Sequence, residues 1–285
     1  MGTLLKHDEV VSKVFNNNIV LVNSDAKEKI LFAKGIGFAK KKGEIIKSGT
    51  IVDKIFTIEN NNNINNFNNM IEIVDNEFFA VCEEAIYEIS SIINQDINES
   101  IHIGLIDHLF FAVKRMKIKE TIENPFLVEI ETLYPKEFNL AKIIAKRVGE
   151  YSKVDLPEDE IGFIALHIHS AIHDGNISNT MKSNFLCSEI VEYIEGQLGI
   201  TIDKKSLDYT RFLTHIKFAV QRILENKKSK NDLGEIIKKT YSESYEIAKN
   251  AVKIIESELK CEVSDDEVTF LTIHIERFRV SMKYK

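Results

Sequence analysis

Two stretches of this chain decide how it is read: Asp107-His108-Leu109-Phe110-Phe111-Ala112-Val113-Lys114-Arg115 and, 107 residues later, Thr214-His215-Ile216-Lys217-Phe218-Ala219-Val220-Gln221-Arg222. At the same offset, Asp159-Glu160-Ile161-Gly162-Phe163-Ile164-Ala165-Leu166-His167 returns as Asp266-Glu267-Val268-Thr269-Phe270-Leu271-Thr272-Ile273-His274. Residues 108–168 align with 215–275 without a gap at 17 identical positions of 61, where unrelated chains of ordinary composition would give about one in sixteen. Self-similarity at a fixed offset marks a duplicated domain.

The period of the apolar residues says what that domain is made of. Ile71, Val74, Phe78, Val81, Ala85, Ile89 and Ile92 recur at spacings of three and four, the signature of one buried helical stripe. Asn124-Pro125 and Pro157 followed by Glu158, Asp159 and Glu160 read as helix starts, and Ser264 with Glu267 three residues on has the form of a capping box. Everything after residue 70 is expected to be helical, in two domains at 67–173 and 180–285 joined by a linker at 174–179.

The first 58 residues are different. Val10–Phe15, Asn18–Asn23, Ile30–Ala33 and Thr50–Ile58 are rich in Val and Ile, with Asn16-Asn17-Asn18 as a turn and Gly35, Gly37, Gly43 and Gly49 punctuating the segment between. A small antiparallel sheet is predicted, marginal at this size and therefore expected to dimerise. Eight of the ten residues from Asn60 to Asn69 are Asn, too little apolar content to pack, so residues 59–66 read as a linker. The predicted fold class is multi-domain α and β: a small antiparallel β-sheet domain followed by two homologous all-α helical-bundle domains.

Composition narrows the function classes. Of 285 residues, 44% are hydrophobic and 28% charged, with 3 Pro and 12 Gly, which excludes collagen-like or disordered chains. No apolar run nears the roughly 20 residues of a membrane span, and charged residues stand among Met1–Val10 where a signal peptide needs its apolar stretch. N-myristoylation is not indicated. Residues 1–8 receive no role. Cys82, Cys187 and Cys261 are far apart and form no Cys-x-x-Cys pair, as expected of a reduced, cytoplasmic protein. The charge is uneven. Residues 1–58 carry ten Lys against six acidic residues, 59–173 carry 9 basic against 20 acidic, and 174–285 carry 18 of each. The chain thus runs basic, acidic, neutral, either by ordinary scatter or because one end meets a polyanion.

The repeat sorts the histidines: His108 and His167 return as His215 and His274, while His102, His169 and His173 become Tyr209, Glu276 and Val280. Three chemistries are open. His169 and His173 have the i, i+4 spacing of a helical metal pair but are lost in the second copy. Acid–base or nucleophilic catalysis lacks any Gly-x-Ser-x-Gly, His-Glu-x-x-His or phosphate-cradling loop. Reversible phosphorylation of imidazole needs only an accessible ring on a firm helix. Burial of all four as packing residues is the remaining alternative.

Lys13-Val14-Phe15-Asn16-Asn17-Asn18-Ile19-Val20, followed by Ala33-Lys34-Gly35-Ile36-Gly37-Phe38-Ala39-Lys40-Lys41-Lys42-Gly43, resembles the co-antiterminator RNA-binding domain of bacterial BglG/SacY/LicT-type transcription antiterminators. The duplicated helical part resembles the two phosphotransferase-system regulation domains of the same family. The resemblance implies a cytoplasmic homodimer, with no cofactor and no enzymatic activity, that binds an RNA hairpin in a nascent mRNA leader and prevents terminator formation. It places RNA contacts at Lys13, Asn16, Asn17, Asn18, Lys34, Gly35, Phe38 and Lys40, chemistry suited to base edges, stacking and phosphate. It also implies phosphorylation at His108, His167, His215 and His274. A sugar-specific permease component would act on the first pair to switch the protein off. The general phosphocarrier HPr would act on the second pair to support activity.

Against the family pattern, Ala33 stands where Gly is common and Lys34 where Arg is common, removing a bidentate guanidinium contact. The Asn-rich stretch is longer than expected, and Thr214 replaces Asp before His215. A DNA-binding activator with similar regulation domains and a metal-dependent hydrolase are the alternatives.

Overall fold

The Val- and Ile-rich start of the chain alternates so that both faces of its strands are apolar, and a computed structural model shows what covers each face. It describes residues 2–24, 27–173, 176–224, 227 and 230–281. Strands β1 (Thr3–Leu4) and β6 (Ile51–Val52) form one antiparallel pair. The larger sheet contains β2 (Glu9–Val14), β3 (Ile19–Ser24), β4 (Lys27–Phe32), β5 (Ile45–Ile46) and β7 (Lys54–Ile58), antiparallel in the order β5-β2-β3-β4-β7. The β2–β3 turn is fixed by Asn16, whose Oδ1 accepts the Asn18 N–H at 2.8 Å. Residues 3–5, assigned no role from sequence, belong to the sheet module: Leu5 is buried in its core.

Along β3 and β4 the side chains divide by strand period. Val20, Val22 and Leu31 join Leu5, Val11, Ile46 and Val52 in one core. Ile19, Leu21, Ile30 and Ile58 are equally buried, on the side where the module meets helices of the same compact unit. Phe15 stacks on Phe79 with centroids 4.0 Å apart, Phe32 on Tyr87 at 5.3 Å, and Phe56 lies 4.5 Å from the His102 ring. Much of the burial that a 58-residue module lacks alone therefore comes from its own chain.

The Asn-rich stretch expected as a linker forms helix instead. Asn60 caps α1 (Asn61–Ile73) by accepting the N–H groups of Asn62 and Asn63. Phe67, Met70 and Ile71 fall on one face and are buried, so sparse but correctly spaced apolar residues outweigh the polarity of the rest. After Val74, Asp75 caps α2 (Asn76–Ile93) through the Phe78 N–H. Most of the predicted stripe is buried, with Ile92 at its exposed end.

The duplication repeats element by element. Helices α2, α3 (Ile101–Lys117), α4 (Leu127–Leu133), α5 (Pro135–Ser152) and α6 (Glu158–His173) have as counterparts α7 (Ile177–Leu198), α8 (Leu207–Leu224), α9 (Gly234–Thr240), α10 (Ser242–Leu259) and α11 (Asp265–Ser281). Of the expected linker 174–179, residues 177–179 are the first turn of α7, and 174 and 175 lie outside the described residues. Contacts divide the chain into one compact unit of Met1–Asn124 with Lys136–Ile177 and another of Pro125–Pro135 with Ser178–Lys285. Helix α4 thus falls with the second unit. Its Glu129 is buried there, accepting from Tyr209 Oη at 2.6 Å and Lys204 Nζ at 3.0 Å, while Val128 and Leu133 pack on that unit's core. The three cysteines are free thiols, and among the described residues no helix is long and apolar enough to cross a membrane.

Candidate functional site

In each helical domain one His comes from the second helix of the repeat and one from the last, which pack together. Positions seven apart share a helix face. That spacing puts Arg115 beside His108 on α3, and Glu160 beside His167 on α6. The rings of His108 and His167 stand 5.4 Å apart, tilted by 37°, with Phe163 5.8 Å from His108. Glu160 Oε2 lies 3.0 Å from His108 Nε2, and its Oε1 accepts from Arg115 at 2.8 Å. Burial raises the Glu160 pKa, but the bonds from His108 and Arg115 outweigh it and hold the carboxyl below its ordinary value.

The second domain repeats the quartet. His215 and His274 are 5.0 Å apart at 34°, and Phe270 is 5.6 Å from His215. Glu267 Oε2 lies 3.6 Å from His215 Nε2 and the carboxylate takes a bidentate pair from Arg222, both at 2.8 Å. All four histidines are half-buried. Burial, then His108, pushes His167 down to about 3, and burial, then His215, pushes His274 down to about 4. Burial likewise lowers His215. These three rings are therefore neutral near pH 7, with a lone pair available.

Sequence reasoning found the four histidines and missed their partners. The carboxylate meeting His108 is Glu160, whereas the adjacent Asp107 is exposed. Thr214 therefore does not deprive His215 of an acid, because Glu267 supplies it. The same Glu267 that reads as a capping-box residue is engaged with Arg222 and His215. The signal was in the repeat: Arg115/Arg222 and Glu160/Glu267 are identities within the quoted blocks.

The histidines lost in the second copy have other surroundings. His102 is buried with Nδ1 at 2.9 Å from Glu83, a core polar pair whose counterpart is Tyr209 bonded to Glu129. His169 Nδ1 lies 2.8 Å from Glu137, and Glu137, His169 and His173 bring ligand atoms within 4.8 Å of one another. Such a nitrogen–oxygen set can take a divalent cation. At the equivalent place in the second copy Ser244 donates to Glu276 at 2.7 Å, so a polar link between these two helices is common to both domains.

The residues expected to touch RNA fall into two groups. Asn17, Asn18, Lys34, Gly35 and Phe38 are exposed, and Phe38 shows 70% of its surface. Asn18 Oδ1 accepts the Gly35 N–H at 3.0 Å and Asn17 O accepts the Gly37 N–H at 2.9 Å, tying the β2–β3 turn to the glycine segment. Gly35 has φ +76°, and a Cβ on Gly37 would meet Asn16 O at 2.2 Å, so both positions require glycine. Half-buried Lys40 pairs with Glu44 at 3.3 Å. Lys13 and Asn16 instead face the helices: Lys13 Nζ donates to Ile71 O, and Asn16 Nδ2 to Glu84 Oε1 at 3.1 Å. Burial lowers the Lys13 pKa.

The family model described as CAT RNA binding domain covers residues 10–65, and that described as PRD domain covers 83–171 and again 188–278. The chain is 34% identical over 279 residues to Protein GlcT of Staphylococcus saprophyticus, covering 97% of this chain and 99% of that protein. To Protein GlcT of Staphylococcus aureus it is 33% identical over 272 residues, covering 94% and 96%. A crystal structure of GlcT CAT-PRDI is similar at 39% identity and a TM-score of 0.50, covering 59% of this chain and 99% of that one. The basic sheet module, the duplicated helical domains and these relatives agree: the chain belongs to the BglG/SacY/LicT-type transcription antiterminators, sugar-responsive regulators rather than enzymes, with a CAT RNA-binding domain followed by two PRD domains.

Proposed function

We propose that this antiterminator works as a cytoplasmic homodimer. The exposed group Asn17, Asn18, Lys34, Gly35 and Phe38, with Lys40 beside it, would grip a leader RNA hairpin. Its activity would be set by phosphorylation of His108 and His167 by a sugar permease component and of His215 and His274 by HPr. The observation that carries the regulatory half is the quartet of two His, one Glu and one Arg, repeated with ring separations of 5.4 and 5.0 Å. Such a quartet is chemically apt for accepting phosphoryl. The Glu160 carboxylate 3.0 Å from Nε2 favours the tautomer with its proton there, which would leave Nδ1 of His108 with the nucleophilic lone pair.

Charge gives the first pair its sign. Residues 59–173 carry 9 basic against 20 acidic side chains, a net of −11. Each phosphoryl adds about −2, so phosphorylation there raises repulsion between two such domains in a dimer. The 18-against-18 balance of residues 174–285 opposes added phosphate far less. Lys13 and Asn16 belong to the same account as the edge of the RNA module that is held by helices α1 and α2. The test is RNA-hairpin binding by the full chain before and after treatment with HPr and the matching permease component. Phosphorylation confined to the first pair is expected to abolish binding, and undiminished binding would refute the regulatory scheme.

A further inference from the structure

The two histidine sites differ at the positions next to the second His of each pair. In the second domain Arg211, on α8, lines the same cavity of about 410 Å³ as Thr210, Thr214, His215, Arg222 and His274. Arg277 follows His274 by three residues on α11. Both guanidinium groups meet one acid: Arg211 Nη1 and Arg277 Nη1 each lie 3.5 Å from Asp208 Oδ1. Both arginines are about half exposed, and 3.5 Å is long for a charge-assisted bond. The pair is held near the histidines but not locked.

The first domain has none of this. The counterparts of Asp208, Arg211 and Arg277 at the offset of 107 are Ile101, Gly104 and Ser170. They line a smaller cavity of about 160 Å³ with His167, Asn63, Ser100, Ile103 and Ile177, and none of these carries a cationic side chain. A Cβ on Gly104 would come 3.3 Å from His167 Nδ1, so an arginine is sterically disfavoured there. Arg115, the cation common to both quartets, is committed to Glu160.

We propose that Arg211 and Arg277 form a phosphoryl seat for His274, closed by Asp208 in the unmodified protein and opened when a phosphoryl group on His274 outcompetes it. This rests on the reading of the four histidines as phosphoryl acceptors. A dianion attracts two guanidinium groups more strongly than one carboxylate does. Phosphorylation of the second domain would therefore be compensated within the domain, whereas among the described residues lining the cavity at His167 none carries a cation to meet the same charge. The asymmetry gives one modification opposite consequences in two homologous domains.

Potassium phosphoramidate supplies the test on the full chain. The P–N bond of the reagent breaks, the phosphoryl forms a new bond to an imidazole nitrogen, and the imidazole proton leaves with the amine as ammonia. Peptide mapping by mass spectrometry locates the label, and ³¹P NMR follows the titration of each phosphohistidine with pH. Adjacent cations favour the dianion, so phospho-His274 should titrate about one pH unit below a phosphohistidine in the first domain. The double variant Arg211→Ala/Arg277→Ala should remove that difference, and Asp208→Asn should enlarge it. A role only in packing would not move the two variants in opposite directions. Equal titration in parent and variants, or second-domain label on His215 alone, overturns the seat while leaving phosphorylation standing. Absence of label from all four histidines, with the unfolded chain labelled as control, removes the acceptor reading and the seat with it.

Discussion

Glu160 holds His108 by its Nε2, 3.0 Å from Oε2, while its other oxygen accepts from Arg115. One buried carboxylate thus faces the ring and neutralises a neighbouring cation. Glu267 stands in the equivalent place in the second domain, bonded to Arg222 but 3.6 Å from His215 Nε2. The carboxylate-to-imidazole distance therefore differs between two sites with otherwise matching parts.

Glu160→Gln preserves the shape but presents an amide where His108 needs an acceptor. Phosphoryl uptake at His108 should fall roughly tenfold or more, as expected when an imidazole loses the group that fixes its tautomer. The fold should lose about 1.5–3 kcal/mol with the charge-assisted bonds. Quantitative mass spectrometry and a urea melt read the two effects separately.

Acid should weaken the fold through His167 and His274. Their folded-state values, about 3 and about 4, lie below the unfolded value near 6.5. Between those limits the unfolded chain binds more protons, so stability is complete above about pH 6.5 and declines as pH falls toward 4. Thermal melts from pH 7.5 to 5 should show a shallower slope for His167→Gln than for the parent. An identical slope would show that His167 is not buried in its neutral form.

The turn residues should differ in what they contribute to RNA binding. Phe38→Ala removes an exposed stacking face and should cost about 1–3 kcal/mol of affinity. Asn18→Ala should also weaken binding, because it frees the Gly35 N–H and loosens the turn. Asn16→Ala should weaken binding only through the turn, by losing the bond from the Asn18 N–H, since the Asn16 amide is already given to Glu84. Titrations of the full chain with a labelled hairpin rank the three, and binding should fall steeply with salt.

Helix α1 gives a sharp test of the Asn-rich segment. Asn66→Pro, at an exposed position inside the helix, should cost about 3 kcal/mol. Phe67→Ala, at a fully buried one, should cost about 3–5 kcal/mol. A flexible linker would tolerate both, so an unchanged denaturation midpoint would contradict the helix.

What the sequence made legible follows from periodicity. The sheet, the α2 stripe of Phe78 to Ile89 and the paired histidines all rest on spacings that survive in one dimension. Helix α1 was hidden because eight Asn in ten residues mask Phe67, Met70 and Ile71, and capping by Asn60 is indistinguishable from more of the same composition. Glu160 and Glu267 were hidden because a first-turn acid is an ordinary helix-start signal, and only the packing of α3 on α6 and of α8 on α11 shows that each reaches a histidine. The departure of α4 from its expected domain is a long-range choice made by Glu129, Tyr209 and Lys204, 75 to 80 residues apart, which no local pattern encodes.

The central claim is that the two His pairs are phosphoryl acceptors that govern RNA binding. Its most direct test is a single sample of the full chain, phosphorylated with HPr and the matching permease component, divided between phosphohistidine mapping and hairpin titration. Label on at least one member of each pair is predicted, with hairpin binding lost in proportion to occupancy of His108 and His167. Absence of label from all four rings, or first-pair label with hairpin binding unchanged, would contradict the account.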